Sequence, residues 1–389
     1  STIYRNTETA RTTASVRCGY VACGGRHSCV KSAAVTKFEK TGKTAVSAGI
    51  SGEVGEAMKE VTVVIPNYNG MKYLPECMTS LCEGQENAPE YEVLVIDNGS
   101  ADGSVEYLNR EWCTEAEGKC PVRLIALTEN TGFCHAVNLG IRESRTPYVI
   151  LLNNDTKVQP GFIRGLYKAI AVEDRIFSVS AKMLMWDKPE LIDDAGDRYC
   201  VLGWAYSRGK GRPADKYEKN VSVFSACGGA AIYRRSVFEE IGYFDENHFA
   251  YLEDLDIGYR ARIYGYENRY EPAAAVLHYG SASTGSRYNM RKTELSSANN
   301  VCVIGKNMPL FQWILNLPFF LLGFGIKFLF FCKKRMGKLY LKGLLNGLKR
   351  SVGPVGKQTK VRFQWSHLWN YVKIQWQLYL NIFRILMKS

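Results

Sequence analysis

Acidic side chains are missing from the end of this sequence. None follows Glu294, and residues 310–389 carry fourteen Lys and Arg with no Asp or Glu. Residues 1–59 hold nine basic and four acidic side chains, so the middle, 60–309, is net acidic at −7 although the whole chain is +12. An acidic body argues against a nucleic-acid-binding fold there, and no nucleic acid is expected as a partner. No CxxC occurs among the twelve cysteines, and most of those after position 60 lie in apolar segments, which points to a reduced compartment. Cys18, Cys23, His27 and Cys29 match no common zinc spacing. Long apolar runs are scarce too. Leu310–Ile326 is uncharged, but Gln312, Asn316, Pro318, Gly323 and Gly325 interrupt it, short of the roughly 20 apolar residues of a membrane span. Residues 1–59 lack the apolar stretch of a signal peptide, and their Thr, Ala, Ser, Gly and Lys show no periodicity. They read as a disordered leader, with Met58 the expected native start.

What is present is an alternation of strand and helix. Apolar strand patterns cover 61–66, 91–96, 122–127 and 148–152, and helical patterns cover 71–82, 102–109, 135–143 and 161–172. Strands that are apolar on both faces and separated by helices predict an α/β fold with a parallel sheet covered on both sides. In such sheets ligands bind beyond the carboxyl ends of the strands.

Polar clusters stand at those ends. They are Pro66-Asn67-Tyr68-Asn69-Gly70, Asp97-Asn98-Gly99-Ser100, Asn130-Thr131-Gly132 and Asn153-Asn154-Asp155. A carboxylate after the second strand can accept from a nucleobase or ribose; one after the fourth can hold a hard divalent cation against a diphosphate. Further on come Gly228-Gly229, then Glu253-Asp254-Leu255-Asp256 at the start of a helical pattern with Arg260, and His278 after an apolar strand. Capping at a helix N-terminus accounts for one or two of those acids, but not readily for three. Arg260 is expected to pair with one of them.

These motifs, in this order and spacing over 60–309, resemble family 2 inverting glycosyltransferases, in particular the rhamnosyltransferase-like branch that builds bacterial surface polysaccharides. The resemblance implies a GT-A type nucleotide-sugar-binding fold, a Rossmann-like, mostly parallel sheet. It implies transfer of a sugar, rhamnose or a hexose, from a nucleotide-diphosphate donor to a hydroxyl of a lipid-linked or cell-surface glycan. Pro66, Asn67, Tyr68, Asp97, Asn154 and Gly229 would line the donor site. Asp155 would bind the metal, Mg²⁺ or Mn²⁺, with His278 completing that site. Asp254 would be the general base, with Glu253 its competitor. Members of that branch often carry Arg-Asn where this chain has Ala298-Asn299, and acceptor choice is expected to lie around 183–222.

The expected organisation is a leader over 1–58, a catalytic domain over 59–309 and a basic, aromatic-rich helical region over 310–389. Trp365, Trp369, Val372, Trp376, Tyr379, Phe383 and Met387 recur at three- and four-residue steps among Lys and Arg, the pattern of a helix lying on an anionic bilayer. The expected place is therefore the cytoplasmic side of the cell membrane, as a peripheral protein. Three alternatives stay open: a helix over 310–332 that spans the membrane, a helix packed on the protein's own core, and a non-catalytic scaffold or sugar-binding protein of a polysaccharide assembly.

Overall fold

A computed structural model describes residues 59–113, 120–280 and 289–386. The leader, with the Cys18–Cys29 cluster, and Met387 lie outside the described residues. The strands are β1 Val61–Asn67, β2 Tyr91–Asp97, β3 Val122–Ala126, β4 Tyr148–Leu152, β5 Thr156–Val158, β6 Ile176–Met185, β7 Lys188–Asp194, β8 Asp197–Cys200, β9 Trp204–Ser207, β10 Val221–Val223, β11 Ala230–Arg234 and β12 Glu267–His278. The helices are α1 Leu74–Cys82, α2 Ser104–Glu111, α3 Phe133–Glu143, α4 Phe162–Ala171, α5 Arg235–Ile241, α6 Glu253–Ile263, α7 Met290–Asn307, α8 Leu310–Lys333, α9 Gly337–Val352, α10 Pro354–Thr359 and α11 Leu368–Leu386.

The main sheet runs β10-β12-β6-β11-β4-β1-β2-β3, with β5 on β12, β7 on β6, and β8–β9 a separate hairpin. β4, β1, β2 and β3 are parallel, as their two-sided apolar runs predict. β11 enters antiparallel between β4 and β6, joining this half to a mixed second half. Helix α1 starts at Leu74 rather than Met71, because Gly70–Tyr73 form a turn and Pro75 is tolerated only in a first helical turn. One face of the sheet packs Leu74, Met78, Phe162 and Leu166, and the other packs Val137, Ile141, Phe238 and Ile257.

The C-terminal helices share the core of the body. Phe320, Tyr371, Ile374 and Leu378 pack with Tyr199, Phe224, Leu255 and Tyr259 in one buried cluster. Their outer faces are uncovered: Leu321 and Leu329 of α8, Leu345 of α9, and Trp369, Trp376 and Phe383 of α11 are all more than half exposed. The aromatic stripe therefore points away from this chain's own core, with Tyr379 partly buried at its edge. Where the uncharged run Leu310–Ile326 falls short of a span, α8 continues past Lys327 to 24 residues and, among the described residues, is long and apolar enough to cross a membrane by length and composition. The nine described cysteines are free thiols.

Candidate active site

Two strand ends build the first part of the site. The parallel register sets Asn67 beside Asp97. Asn67 Nδ2 donates to Asp97 Oδ2 at 2.7 Å, and Ser100 N–H donates to Oδ1 at 2.9 Å. Asn154 Nδ2 donates to Asn67 Oδ1 at 2.6 Å, so the Asn67 amide is oriented from both ends and ties β4's end to β1's. This close approach requires glycine at 70, where a Cβ would lie 2.0 Å from Asn154 Nδ2 and 2.2 Å from Asn67 Oδ1. Asp97 is buried, Pro66 is half-buried opposite Ile96, and Tyr68 stands exposed at the rim.

The second part pairs a carboxylate with an imidazole. Antiparallel pairing of β5 with β12 places His278 opposite Thr156, next to Asp155. His278 Nε2 lies 3.4 Å from Asp155 Oδ1, and Nδ1 lies 2.7 Å from Asp193 Oδ2. Burial disfavours the imidazolium, but Asp155 and Asp193 outweigh it and raise His278 to about 9. Burial would likewise raise Asp193, yet His278 and Lys210 hold it at about 2. An ionised Asp193 can only accept, so in the neutral ring the proton sits on Nδ1 and the Nε2 lone pair faces Asp155. One carboxylate oxygen and one oriented imidazole nitrogen form a donor set that fits Mg²⁺ or Mn²⁺ completed by waters and phosphate oxygens.

The third part lies at the start of α6. Of the three acids there, Asp256 belongs to the fold. It is fully buried, 2.9 Å from both Arg260 Nη2 and Lys306 Nζ, and accepts from Asn307 at 2.7 Å. Burial opposes its charge, but these cations hold it far below the ordinary range. Arg260 is thus an ion-pair partner, as its spacing predicts. Asp254 accepts from Leu255 N–H at 2.7 Å and also from Gly228 N–H. Asn153 N–H donates to Gly229 O at 2.8 Å, which joins the glycine turn to the end of β4. The site is therefore continuous from Asp97 to Asp254.

A carboxyl cluster distinguishes Asp254 from its neighbour. Burial, then the charges of Asp194 and Asp254, push Asp197 well above the ordinary range, so it holds a proton and donates it in a hydrogen bond to Asp254. Burial and Asp254 raise Glu253 to about 8, and Glu253 Oε2 has no hydrogen-bond partner. Burial also raises Asp254 above the ordinary range, but N–H donors from Leu255 and Gly228 and the proton of Asp197 oppose that rise, whereas Glu253 has no such side-chain donor, so charge in the group is favoured on Asp254.

The segment before these acids is held under backbone strain. Phe249, Tyr251 and Leu252 have φ of 60°, 72° and 66°, in the left-handed region that costs free energy for such side chains. Asn299 Nδ2 lies within 2.9–3.0 Å of the carbonyl oxygens of His248, Ala250 and Tyr251. Arg350 Nη1 donates to Asn299 Oδ1 at 3.1 Å. At position 298, where the resemblance leads one to expect arginine, Ala298 is buried and α9 is packed onto its backbone. The guanidinium in contact with Asn299 comes instead from α9.

Every residue expected for the site is in this region. The sequence does not single out Asp193, Asp197 or Lys210, and it offers Asn299 only as the second residue of the Ala298-Asn299 pair; the acid run Asp193-Asp194-Ala195-Gly196-Asp197 is a visible signal, in the stretch assigned to acceptor choice.

Residues 62–242 match the family described as Glycosyl transferase family 2. The chain is 30% identical over 251 residues to N-acetylglucosaminyl-diphospho-decaprenol L-rhamnosyltransferase of Mycobacterium tuberculosis, covering 57% of this chain and 77% of that protein. It is 29% identical over 223 residues to the uncharacterized glycosyltransferase YwdF of Bacillus subtilis, covering 56% and 74%. Among solved structures, GalNAc-T7 with UDP, GalNAc and Mn²⁺ superposes with a TM-score of 0.51 at 17% identity, covering 64% of this chain and 48% of that one. S. aureus TarS 1-349 in complex with UDP-GlcNAc superposes at 0.50 and 17% identity, covering 75% and 81%. Those two likenesses bear on the fold, which is of the GT-A type. The chain belongs to glycosyl transferase family 2, and its activity is that of a glycosyltransferase.

Proposed function

We propose that this chain transfers a sugar with inversion from a nucleotide-diphosphate donor to a hydroxyl of a lipid-linked glycan, working at the cytoplasmic surface of the cell membrane. The observation that carries this reading is the linked series from Asp97 through Asn67 to Asn154, on through its neighbour Asn153 to Gly229, and from the adjacent Gly228 to Asp254. Asp97 accepts from the base or ribose of the donor, with Pro66, Asn67 and Tyr68 around it. Asp155 and His278 hold the divalent cation, which when bound supplies Lewis-acid stabilisation of the departing diphosphate. The acceptor hydroxyl gives its proton to Asp254 as its oxygen bonds to the anomeric carbon. The bond from that carbon to the diphosphate oxygen breaks, and its electron pair leaves with the nucleoside diphosphate. Asp197, protonated, keeps Asp254 charged and oriented. The M. tuberculosis relative's name supports a lipid diphosphate acceptor and rhamnose among the candidate sugars.

The test is a panel of nucleotide sugars scored for metal-dependent hydrolysis and transfer. Asp254→Asn should lose about 10²–10⁴ in rate while retaining donor binding; full activity would remove Asp254 as base. For the membrane, the uncovered apolar faces and the acid-free, basic C-terminal region favour an anionic bilayer surface. Because the inner faces of these helices fill the core, substitution tests this better than truncation. Trp369→Ser with Trp376→Ser should abolish most binding to anionic vesicles, and salt should weaken binding of the unaltered chain. Undiminished binding would place the attachment elsewhere.

A further inference from the structure

A cavity of about 340 Å³ lies where β9 and the loop after it meet α8 and α11. Its lining includes Arg208, Lys210, Arg212, Lys327 and Arg384, and no acidic residue. Among the described residues, Arg208, Arg212, Lys327 and Arg384 have no ion-pair partner, and Lys210 is engaged by Asp193. Burial lowers both Arg198 and Arg208; Tyr206 opposes this at Arg198 and Tyr270 and Tyr217 at Arg208, while Arg198 presses on Arg208 and Arg384 on both. Such mutual repulsion in a partly dehydrated pocket is relieved by an anion.

The cations are built in rather than scattered. Arg208 lies over the Tyr217 and Tyr270 rings, 4.6 and 5.1 Å from their centroids, which fixes its guanidinium. Gly209 has φ of 81°, and a Cβ there would come 2.7 Å from the Tyr217 ring, so the turn that gathers Arg208, Lys210 and Arg212 depends on glycine. Gly211 N–H donates to Ile192 O at 2.7 Å and pins the loop to β7. On the opposite wall, Lys327 lies 5.8 Å from the Trp204 ring centroid, and Tyr206 OH donates to Asn381 O at 2.8 Å.

We infer that this cavity binds the phosphate groups of the acceptor, a lipid-borne phosphate or diphosphate. Three observations point to that class. Three arginines offer the planar donor forks that match phosphate oxygens. Ile326, Leu329 and Phe330, next to Lys327 on α8, are exposed and would adjoin the acyl or isoprenoid chain. At the other end, Lys210 contacts Asp193, which contacts His278, so the anchored phosphate lies one chain of side chains from the site of transfer. The inference rests on the lipid-linked acceptor reading and adds to it the residues that hold the head group.

The experiment is calorimetric titration of the full chain with farnesyl diphosphate as the lipid diphosphate probe, in EDTA so that no divalent cation mediates binding. Arg212→Gln with Arg384→Gln should weaken binding at least tenfold, and Arg212→Lys with Arg384→Lys should restore most of it, with melting temperature and UDP binding unchanged in both. Equal affinity in the glutamine variant overturns the inference. Inorganic pyrophosphate should bind more weakly than farnesyl diphosphate; equal affinity would reassign the cavity to a free diphosphate and overturn the lipid source. Metal-dependent donor hydrolysis is scored separately. Its absence alongside intact farnesyl diphosphate binding would sink the catalytic reading and leave this site standing.

Discussion

His278 Nδ1 donates a 2.7 Å hydrogen bond to Asp193, and the same ring's Nε2 faces Asp155 at 3.4 Å. Carboxylate, imidazole and carboxylate thus form a line in which Asp193 sets the tilt and tautomer of the ring for whatever lies between Nε2 and Asp155. An outer carboxylate of this kind typically changes metal affinity by about 10–100-fold. Asp193→Ala should weaken Mn²⁺ binding by that amount in the donor-free protein, measured by the resonance signal of free Mn²⁺. Unaltered affinity would remove Asp193 from this role.

The proton on Asp197 makes a prediction about rate against pH. Its hydrogen bond favours the charged form of Asp254, so losing it raises the pKa of Asp254. Asp197→Ala should shift the acid limb of the kcat/KM profile to higher pH. Asp197→Asn keeps an N–H donor and should leave the limb near its original place. Coincident profiles for the alanine variant and the unaltered enzyme would refute the assignment.

Asn299 opposes the strain at Phe249, Tyr251 and Leu252. Asn299→Ala removes a side-chain donor shared by three carbonyls, of which His248 O keeps the Ala250 N–H, at about 1–3 kcal/mol of stability. Because the released segment leads directly into Asp254, kcat should fall more than donor KM changes. A loss of melting temperature with kcat intact would mean that the clamp serves stability alone.

Two sets of buried carboxyls act on stability in opposite senses. Glu253 and Asp194 have folded values of about 8 and about 6, above their ordinary 4.5 and 3.8. Their contribution is complete below those ordinary values and is lost as pH rises through 6 and 8. Asp256 is depressed below 3.8, so its contribution is complete above that pH and lost as pH falls further. Melting temperature should therefore peak at mildly acidic pH. Glu253→Gln should flatten the decline between pH 6 and 9 while leaving the acid side unchanged, and an unaltered alkaline decline would contradict the assignment.

The tight crossing at Gly70 predicts a donor-site defect. A methyl group there meets Asn154 and Asn67 head on, and overpacking of this kind costs about 1–3 kcal/mol. Gly70→Ala should break the Asn154–Asn67–Asp97 relay and raise the donor dissociation constant roughly tenfold, read by calorimetry with a nucleoside diphosphate. An unaffected constant would show that the relay does not shape the donor site.

Much of the donor half was legible in the sequence, because a parallel sheet announces itself through two-sided apolar strands and places the next polar residues at one edge. Asp97 and Asp155 could be picked out from position alone. The antiparallel entry of β11 and the pairing of β5 with β12 carry no such local signal, since they depend on which strand edge remains open after the first four have assembled. The alternatives Glu253 and Asp254 are adjacent in sequence and differ only in surroundings: one meets donors from Gly228, Leu255 and Asp197, the other meets none at Oε2.

The sequence by itself determined the parallel half of the sheet, the polar clusters at its edge, the family resemblance and the separation of an acidic body from a basic end. Only the tertiary structure decided that Asp256 belongs to a buried ion-pair network and that Asp193 and Asp197 serve His278 and Asp254. It also decided that the C-terminal aromatic stripe faces outward. The reason is physical: a strand's period and a charge's sign are local properties, whereas a side chain's protonation and partner depend on groups brought from 30 to 100 residues away.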